Sequence, residues 1–355
     1  MWSLPGCLIV AVAVLLPWLT RWPATTPKLA DAIRETPIFV ADVGLLLMLA
    51  AWILGRDAWL GAFVAWMALS VLWHPQISAY ETGLLCALGA MALVLLRRLT
   101  PGQVRWTVRG LLIGGGLEVA YSVVNALGYD LFWQGGAVTP PPHAMGTLGN
   151  SNYLAAYLAM TVALVPLTWL PVWGLGLVMT KSLMGMLAAT VALLVRFRAH
   201  WIPVACTGTV GALLIMGLRD NWPDTVAARW EMWRLALHDL SLWTLWVGHG
   251  PGAWLERIPD VQMRVGFYPG GIFAWAHSDW LQLLYEGGLI GCALLIGWLV
   301  SHRGMWMGPF GGCLAALAVN ALGNFPFHVG VTALTAVVLI GMALNQEDTH
   351  AALSG

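Results

Sequence analysis

Apolar runs recur along the chain from Leu8 to Leu344, and they constrain its fold more than any other feature of the sequence. Hydrophobic residues make up 59% of the 355 residues and charged residues only 10%, and the mean hydropathy is +0.75. This composition excludes an ordinary soluble domain. Because a segment inside lipid must satisfy its own backbone hydrogen bonds, the sequence predicts an all-α polytopic membrane protein.

We predict about twelve transmembrane helices from these runs. The pair between Asn152 and Thr180 consists of two rather short runs, because Pro166 and Pro171 interrupt it. The approximate ranges are 4–20, 38–55, 58–73, 80–96, 106–127, 152–165, 167–180, 183–195, 201–217, 280–300, 306–325 and 329–345.

The distribution of basic residues predicts the orientation. If the N-terminus is cytoplasmic, the short inner loops hold more basic residues than the short outer loops, so the positive-inside rule predicts that both termini are cytoplasmic. Since the net charge is zero, the chain has no general basic field, and we expect no nucleic-acid partner. The inner set is Arg56, Arg97, Arg98, Arg105, Arg109, Arg196, Arg198 and Arg303, and the outer set is Arg21, Lys28, Arg34 and Lys181.

The five cysteines lie in apolar runs without CxxC spacing, which favours buried thiols over disulfides or a metal site. LPGC at Leu4–Cys7 has no basic stretch before it, so we interpret it as the start of a span rather than a lipoprotein cleavage site. The sequence predicts no metal and no cofactor.

Two segments interrupt the apolar pattern, and both are predicted on the outer face. Residues 129–150 are rich in glycine and proline and therefore irregular. Residues 218–277 form one long outer loop, with a helical stretch at Thr225–Leu240 and a turn in VGHGPGAW, Val247–Trp254. We divide the chain into N-terminal transmembrane helices, residues 1–145, and a second region, residues 146–355, that includes this loop.

The stretch AHSDWLQLLYEGG, Ala276–Gly288, leads from the loop into an apolar run. If Trp275–Gly288 is helical, His277 lies at the head of an inward face with Leu281. Glu286 lies half a turn off that face and does not orient His277 from the same helix. The imidazole suits a general base, since its ordinary pKa is about 6.5. A histidine hydrogen-bonded to the loop is the alternative.

Three further groups of polar residues have both a structural and a functional interpretation. In RWEMW, Arg229 and Trp233 share one helical face, either as an arginine packed on an indole or as an anion clamp. Asn150 and Asn152 precede a span, as a helix cap or as part of an anion site. Lys181 and Ser182 lie at the outer end of two short spans, where the lysine either extends to the lipid headgroups or contacts a phosphate.

Three acidic residues lie within or beside predicted spans, namely Asp42, Glu81 and Glu118. Acids at this depth are costly and face the bundle interior. They either mark an ion path or pair with helix ends and arginines, and the structural role is favoured.

Taken in order, these segments are more specific than any one of them. The chain resembles the O-antigen ligase and O-antigen polymerase family of bacterial inner-membrane glycosyltransferases over residues 146–344. The segments that carry the resemblance are GTLGNSNYLAAYLAM, the TKS segment, Arg229 with Trp233, GHGPGAW, HSDWLQLLYEGGLIG and NALGNFPFHVGVTALTA.

The resemblance implies a GT-C-like fold with a periplasmic active site. A glycan moves from a polyprenyl diphosphate carrier to an acceptor hydroxyl, without a metal, with His277 as general base and Arg229 holding the diphosphate. Family members carry arginine directly after the serine of the TKS segment, whereas this chain has Leu183. Lys181 supplies the missing charge, or the donor site is weakened. Asn150, Asn152, Ser182, Trp233 and Glu286 are expected to support the site.

The expected partners are the lipid-linked donor, membrane lipids and a glycan, lipid or protein acceptor. A ligase joins a finished glycan to the lipid A core of lipopolysaccharide, whereas a polymerase joins repeat units, and the sequence does not distinguish them. A lipid or solute transporter and a non-catalytic subunit of a larger assembly are the alternatives. The transporter reading requires an internal repeat, and the sequence has none.

Overall fold

The computed structural model of the chain describes residues 40–73, 77–130, 132, 136–137, 144–217, 222–266 and 273–354. The predicted span at 4–20, LPGC and the outer-loop residues Arg21, Lys28 and Arg34 lie outside these residues. The described chain is mostly helical, which confirms the all-α class. A single two-stranded antiparallel sheet joins β1, Tyr129–Asp130, to β2, Gly136–Ala137, within the described residues.

Fourteen α-helices make up the described chain, joined by short 3-10 helices. They are α1 Val40–Leu54, α2 Ala58–Ser70, α3 Ile77–Leu96, α4 Pro101–Ala126, α5 Ser151–Thr161, α6 Leu170–Thr180, α7 Leu183–Arg196, α8 Trp201–Gly217, α9 Trp222–Asp239, α10 Leu242–Val247, α11 Ala253–Val265, α12 Asp279–Ser301, α13 Gly311–Gly323 and α14 Gly330–Ser354.

The helices follow the predicted apolar runs, but the prediction of about twelve transmembrane helices was wrong. Among the described residues, three helices are long and apolar enough to cross a membrane, namely Pro101–Ala126, Asp279–Ser301 and Gly330–Thr349. Most of the other helices have fewer than 18 residues: α2, for example, has 13. Such a helix is about 20 Å long, whereas a hydrocarbon core of about 30 Å needs about 20 residues.

The described helices belong to two compact units. Among the described residues, the first unit comprises those within 96–222 and 304–354, and the second comprises those within 40–95 and 223–303. Both units are discontinuous in sequence. The predicted boundary between residues 145 and 146 remains a prediction.

In the first unit, α7 packs against α13 and α5, and α6 packs against α4. Helix ends are set by local caps: the Thr100 side chain and Gln103 form a capping box at the start of α4, with Pro101 in the first turn. The buried Tyr157 hydroxyl donates to the carbonyl oxygen of Leu111 at 2.8 Å, which ties α5 to α4.

In the second unit, α12 packs against α2 and α10. The Trp66 indole Nε1 donates to the carbonyl oxygen of Gly287 at 2.8 Å. Beside this packing lies an apolar core to which α9, α11 and α12 all contribute. This core contains the buried residues Met232, Ala236, Ala253, Trp254, Ile258, Ala276 and Tyr285.

Candidate functional site

His277 lies just before α12, not within it. The helix begins at Asp279, and Ser278 is its N-cap, with a side chain that accepts a hydrogen bond from the N–H of Leu281. The expectation that Trp275–Gly288 is helical was therefore wrong at its start. Ser278 caps the helix, and His277 takes a left-handed backbone conformation with φ +49°. A non-glycine residue in this backbone conformation is strained, and the conformation persists only where the surrounding structure holds it.

Ala276, the residue before His277, is held through both of its backbone groups. Its carbonyl oxygen accepts from the Trp233 indole Nε1 at 2.7 Å. Its N–H donates to the Gln282 side-chain oxygen at 3.3 Å. Because Ala276 is fully buried, these contacts fix the path of the chain into His277.

Glu286 supports this arrangement through Gln282. Its Oε1 accepts from the Gln282 side-chain nitrogen at 3.0 Å and from the backbone N–H of Trp254 at 3.3 Å. The sequence excluded Glu286 from orienting His277 directly. The structure shows an indirect link instead, because Gln282 spans one helical turn and reaches the loop.

The charge of Arg229 acts on His277. Burial lowers the pKa of the His277 imidazole, and the nearby Arg229 guanidinium lowers it further, to about 4. The imidazole is therefore neutral at physiological pH. The Phe273 ring meets it edge-on, with centroids 6.0 Å apart. A neutral imidazole and a cation thus share one region of the second unit.

Helix α9 supplies both Arg229 and Trp233, which confirms the helical stretch predicted at Thr225–Leu240. The side chains are four residues apart and lie on the same side of the helix. Trp233 contacts the loop through Ala276, and Arg229 lies one turn earlier. The turn predicted in VGHGPGAW is also present, since Gly248, Gly250 and Gly252 all have positive φ.

A second polar cluster, at the other end of α9, was missed by the sequence analysis. Asp239 Oδ2 accepts from the Tyr285 hydroxyl at 2.7 Å and from Arg257 Nη2 at 3.2 Å, and His249 Nε2 lies 3.6 Å away. Burial alone would raise the pKa of Asp239, but the Tyr285 hydrogen bond and the Arg257 charge outweigh it and lower the pKa. No spacing in the sequence relates these four positions.

The remaining predicted site residues lie in the first unit. Asn150 is the N-cap of α5, as its structural interpretation predicted, and its side chain accepts from the N–H of Asn152 at 2.8 Å. The buried Ser182 is the N-cap of α7 and donates to the Asn152 side-chain oxygen at 2.8 Å. Lys181 lies at the end of α6 in a left-handed conformation with φ +51°.

The eight predicted residues thus form two groups. His277, Arg229, Trp233 and Glu286 belong to the second unit, and Asn150, Asn152, Lys181 and Ser182 belong to the first. Hydrogen bonds connect the asparagines to Ser182 in one group and Trp233 to the His277 loop in the other.

The three acidic residues that lie within or beside predicted spans do not share one site among the described residues. Glu118 is fully buried in α4 and accepts hydrogen bonds from the N–H and the hydroxyl of Thr147. It therefore binds the start of the 3-10 helix Gly146–Leu148, which agrees with a structural role. Glu81 is exposed on α3, and the Asp42 side chain lies outside the described residues.

Comparison of the chain with models of known protein families finds no match, and comparison with curated proteins finds none. The proposed function therefore rests on the geometry of the His277 region.

Proposed function

We propose that this protein is a metal-independent glycosyltransferase of the O-antigen ligase or polymerase type, located in a bacterial inner membrane. It moves a glycan from a polyprenyl diphosphate carrier to an acceptor hydroxyl at the periplasmic face, and both of its termini are cytoplasmic. The observation that carries the proposal is the neutral His277 imidazole, held in a strained loop within range of the Arg229 charge.

The two side chains have complementary tasks in this reaction. The acceptor oxygen attacks the anomeric carbon, its proton passes to the His277 imidazole, and the bond to the diphosphate breaks with its electron pair leaving on the phosphate oxygen. Arg229 stabilises the charge that develops on the diphosphate. Because the acceptor oxygen attacks and the diphosphate departs on opposite sides of the sugar, the configuration of the anomeric carbon inverts.

Donor binding also improves His277 as a base. Arg229 lowers the pKa of His277 in the free protein, and a diphosphate bound to Arg229 offsets that charge. The pKa of His277 then rises toward its ordinary value, which strengthens the base when the acceptor needs it. The proton that His277 receives is in turn stabilised by the departing diphosphate.

The proposal is tested with purified protein in lipid nanodiscs, a glycan-loaded polyprenyl diphosphate and a hydroxyl acceptor. Release of free polyprenyl diphosphate together with glycan on the acceptor is the expected result. Transfer that persists unchanged in both His277→Asn and Arg229→Gln proteins would refute the proposed site. Transport of the intact donor without transfer would favour the transporter alternative.

We predict that Arg229→Gln changes the pH profile as well as the rate. General-base activity is lost as pH falls through the pKa of His277, which lies at about 4 in the free wild-type protein. Removing the Arg229 charge moves the acidic limb of kcat/KM to higher pH, while burial still keeps it below about 6.5. Arg234→Gln is the matched control, since Arg234 pairs with Glu231 on the same helix. An unmoved limb in Arg229→Gln contradicts the coupling.

We predict that Lys181→Ala weakens donor affinity about tenfold to a hundredfold, the loss typical of one charged hydrogen-bond partner. Lys181→Gly is the control for the backbone, because glycine adopts positive φ without strain whereas alanine does not. Equal weakening in both variants indicates that the lost ammonium is responsible. Weakening confined to Lys181→Ala would show a backbone effect and contradict a role in donor binding.

A further inference from the structure

The first unit contains a cavity of about 420 Å³ that none of the predicted site residues lines. Two arginines, Arg196 and Arg198, contribute to its wall. Arg196 is the last residue of α7, and Arg198 belongs to the 3-10 helix that follows. The sequence assigned both arginines to an inner loop, whereas the proposed transfer site lies on the outer face.

One nitrogen of the Arg196 guanidinium is hydrogen-bonded to the protein. Its Nη1 donates to the carbonyl oxygens of Val165 at 2.5 Å and of Val162 at 3.5 Å. These carbonyls lie where the chain breaks between α5 and α6, so the guanidinium caps that break. A guanidinium has five N–H donors. Its Nε–H and Nη2–H₂ groups make no hydrogen bond to the described part of the chain and remain for a ligand.

The cavity has positive charge without a matching carboxylate. Among the described residues that line it, none is acidic, and Gln346 is the polar neighbour of the two arginines. Glu347, the next residue on α14, accepts instead from the N–H of Gly304 at 2.9 Å and does not line the cavity. An anion in this cavity would therefore meet two cations and no carboxylate among the described lining residues.

The rim of the cavity is apolar. Val195, Met307 and Pro309 line it beside the arginines, and Met307 is 73% exposed. Two planar guanidinium forks suit a phosphate group, whose oxygens accept several hydrogen bonds. An exposed apolar rim next to such a group suits the first carbons of an acyl or glyceryl chain.

We propose that this cavity is a phosphate-ester site, in which Arg196 and Arg198 hold the phosphate and the apolar rim contacts the remainder of the ligand. The phosphate belongs either to an anionic lipid headgroup or to a soluble phosphate compound. The site is independent of the proposed glycan transfer, because it uses no residue of the His277 region.

The test uses full-length protein in neutral detergent, titrated by calorimetry with dihexanoyl phosphatidylglycerol, inorganic phosphate, or acetate. We expect phosphatidylglycerol to bind, and Arg198→Gln to weaken that binding about tenfold to a hundredfold. Arg198 is exposed and makes no hydrogen bond within the described chain, so this variant is expected to fold. Arg196→Gln is expected to weaken binding as well, but it also removes the cap on Val162 and Val165.

The control is Arg109→Gln, which removes an exposed cation of the same unit that stacks on Trp106 and does not line the cavity. Its affinity is expected to equal that of the wild type. If inorganic phosphate binds with the same dependence on Arg198, a soluble phosphate compound is an adequate ligand, whereas binding of the lipid alone assigns the headgroup. Binding that is absent, that acetate reproduces, or that Arg198→Gln leaves unchanged overturns the proposal.

Discussion

His277→Asn protein is expected to fold normally and to lose glycan transfer by about a hundredfold to ten-thousandfold, the contribution typical of a general base. Asparagine tolerates the left-handed region better than other non-glycine residues, so it fits the φ of +49° at this position. The amide side chain has no proton acceptor comparable to imidazole. The variant therefore removes the base and keeps the backbone, and transfer of labelled glycan at matched protein levels measures the loss.

The thermal stability of the same variant separates catalysis from packing. If the strained backbone at His277 serves the reaction, His277→Asn should be at least as stable as the wild type, because the strain is eased while activity falls. His238→Asn is the matched control, since His238 is an exposed histidine of α9 in the same unit. Unchanged transfer in His277→Asn would remove the base from the mechanism. Loss of transfer with a collapsed melting temperature would assign His277 a structural role.

The positions of the helices could be predicted from the sequence, whereas the number of helices that are long enough to span a membrane could not. Apolar runs predict α4, α12 and α14 well, because a long uninterrupted apolar run favours a helix and also has a high mean hydropathy. Near Pro166, Lys181 and Ser182 the predicted runs and the observed helices are both short, because caps and breaks end them. Hydropathy shows that a run is apolar but not that it is long enough to cross a membrane, so these short packed helices were counted as complete spans.

The parts of the candidate site that could be predicted are those in which a side chain interacts with residues close to it in the sequence. Asn150 as a cap and Arg229 with Trp233 on one face follow from spacing alone. The link from Glu286 through Gln282 to Ala276 does not, because it depends on the chain folding back in front of α12. The meeting of Asp239 with Arg257 and Tyr285 likewise depends on the packing of three helices around Trp254, and no periodic pattern encodes that packing.

The second large effect is expected at Gly288, which lies inside α12 but is not helical, with φ +65° and ψ −173°. This backbone region is populated almost exclusively by glycine. A Cβ atom here would lie 2.3 Å from the carbonyl oxygen of Trp246 and 2.5 Å from the N of Gly248. These are backbone atoms, so the clash is relieved only by moving α10 away from α12.

Gly288→Ala is therefore expected to cost about 3 kcal/mol or more, from the strained φ and ψ and from the displaced helix. In a chain of this size a loss of about 3 kcal/mol lowers the melting temperature by about 4 °C, which a thermal denaturation assay in detergent measures. Activity should fall too, because α10 joins α12 through Gly250, whose N–H donates to the Glu286 carbonyl oxygen at 2.9 Å. Moving that junction disturbs the Glu286–Gln282 support of the His277 loop.

The neighbouring Gly287 is the matched control for this substitution. Its φ is not positive, and an added Cβ would meet only the side-chain ends of Met67 at 3.2 Å and Leu283 at 3.3 Å. Flexible side chains yield by a few tenths of an ångström, and alanine favours a helix over glycine by roughly 0.5–1 kcal/mol. Gly287→Ala is thus expected to shift the melting temperature by less than about 2 °C. Equal melting temperatures for the two variants would show that the α10–α12 junction does not depend on the backbone of Gly288, and the His277 loop would then need another support.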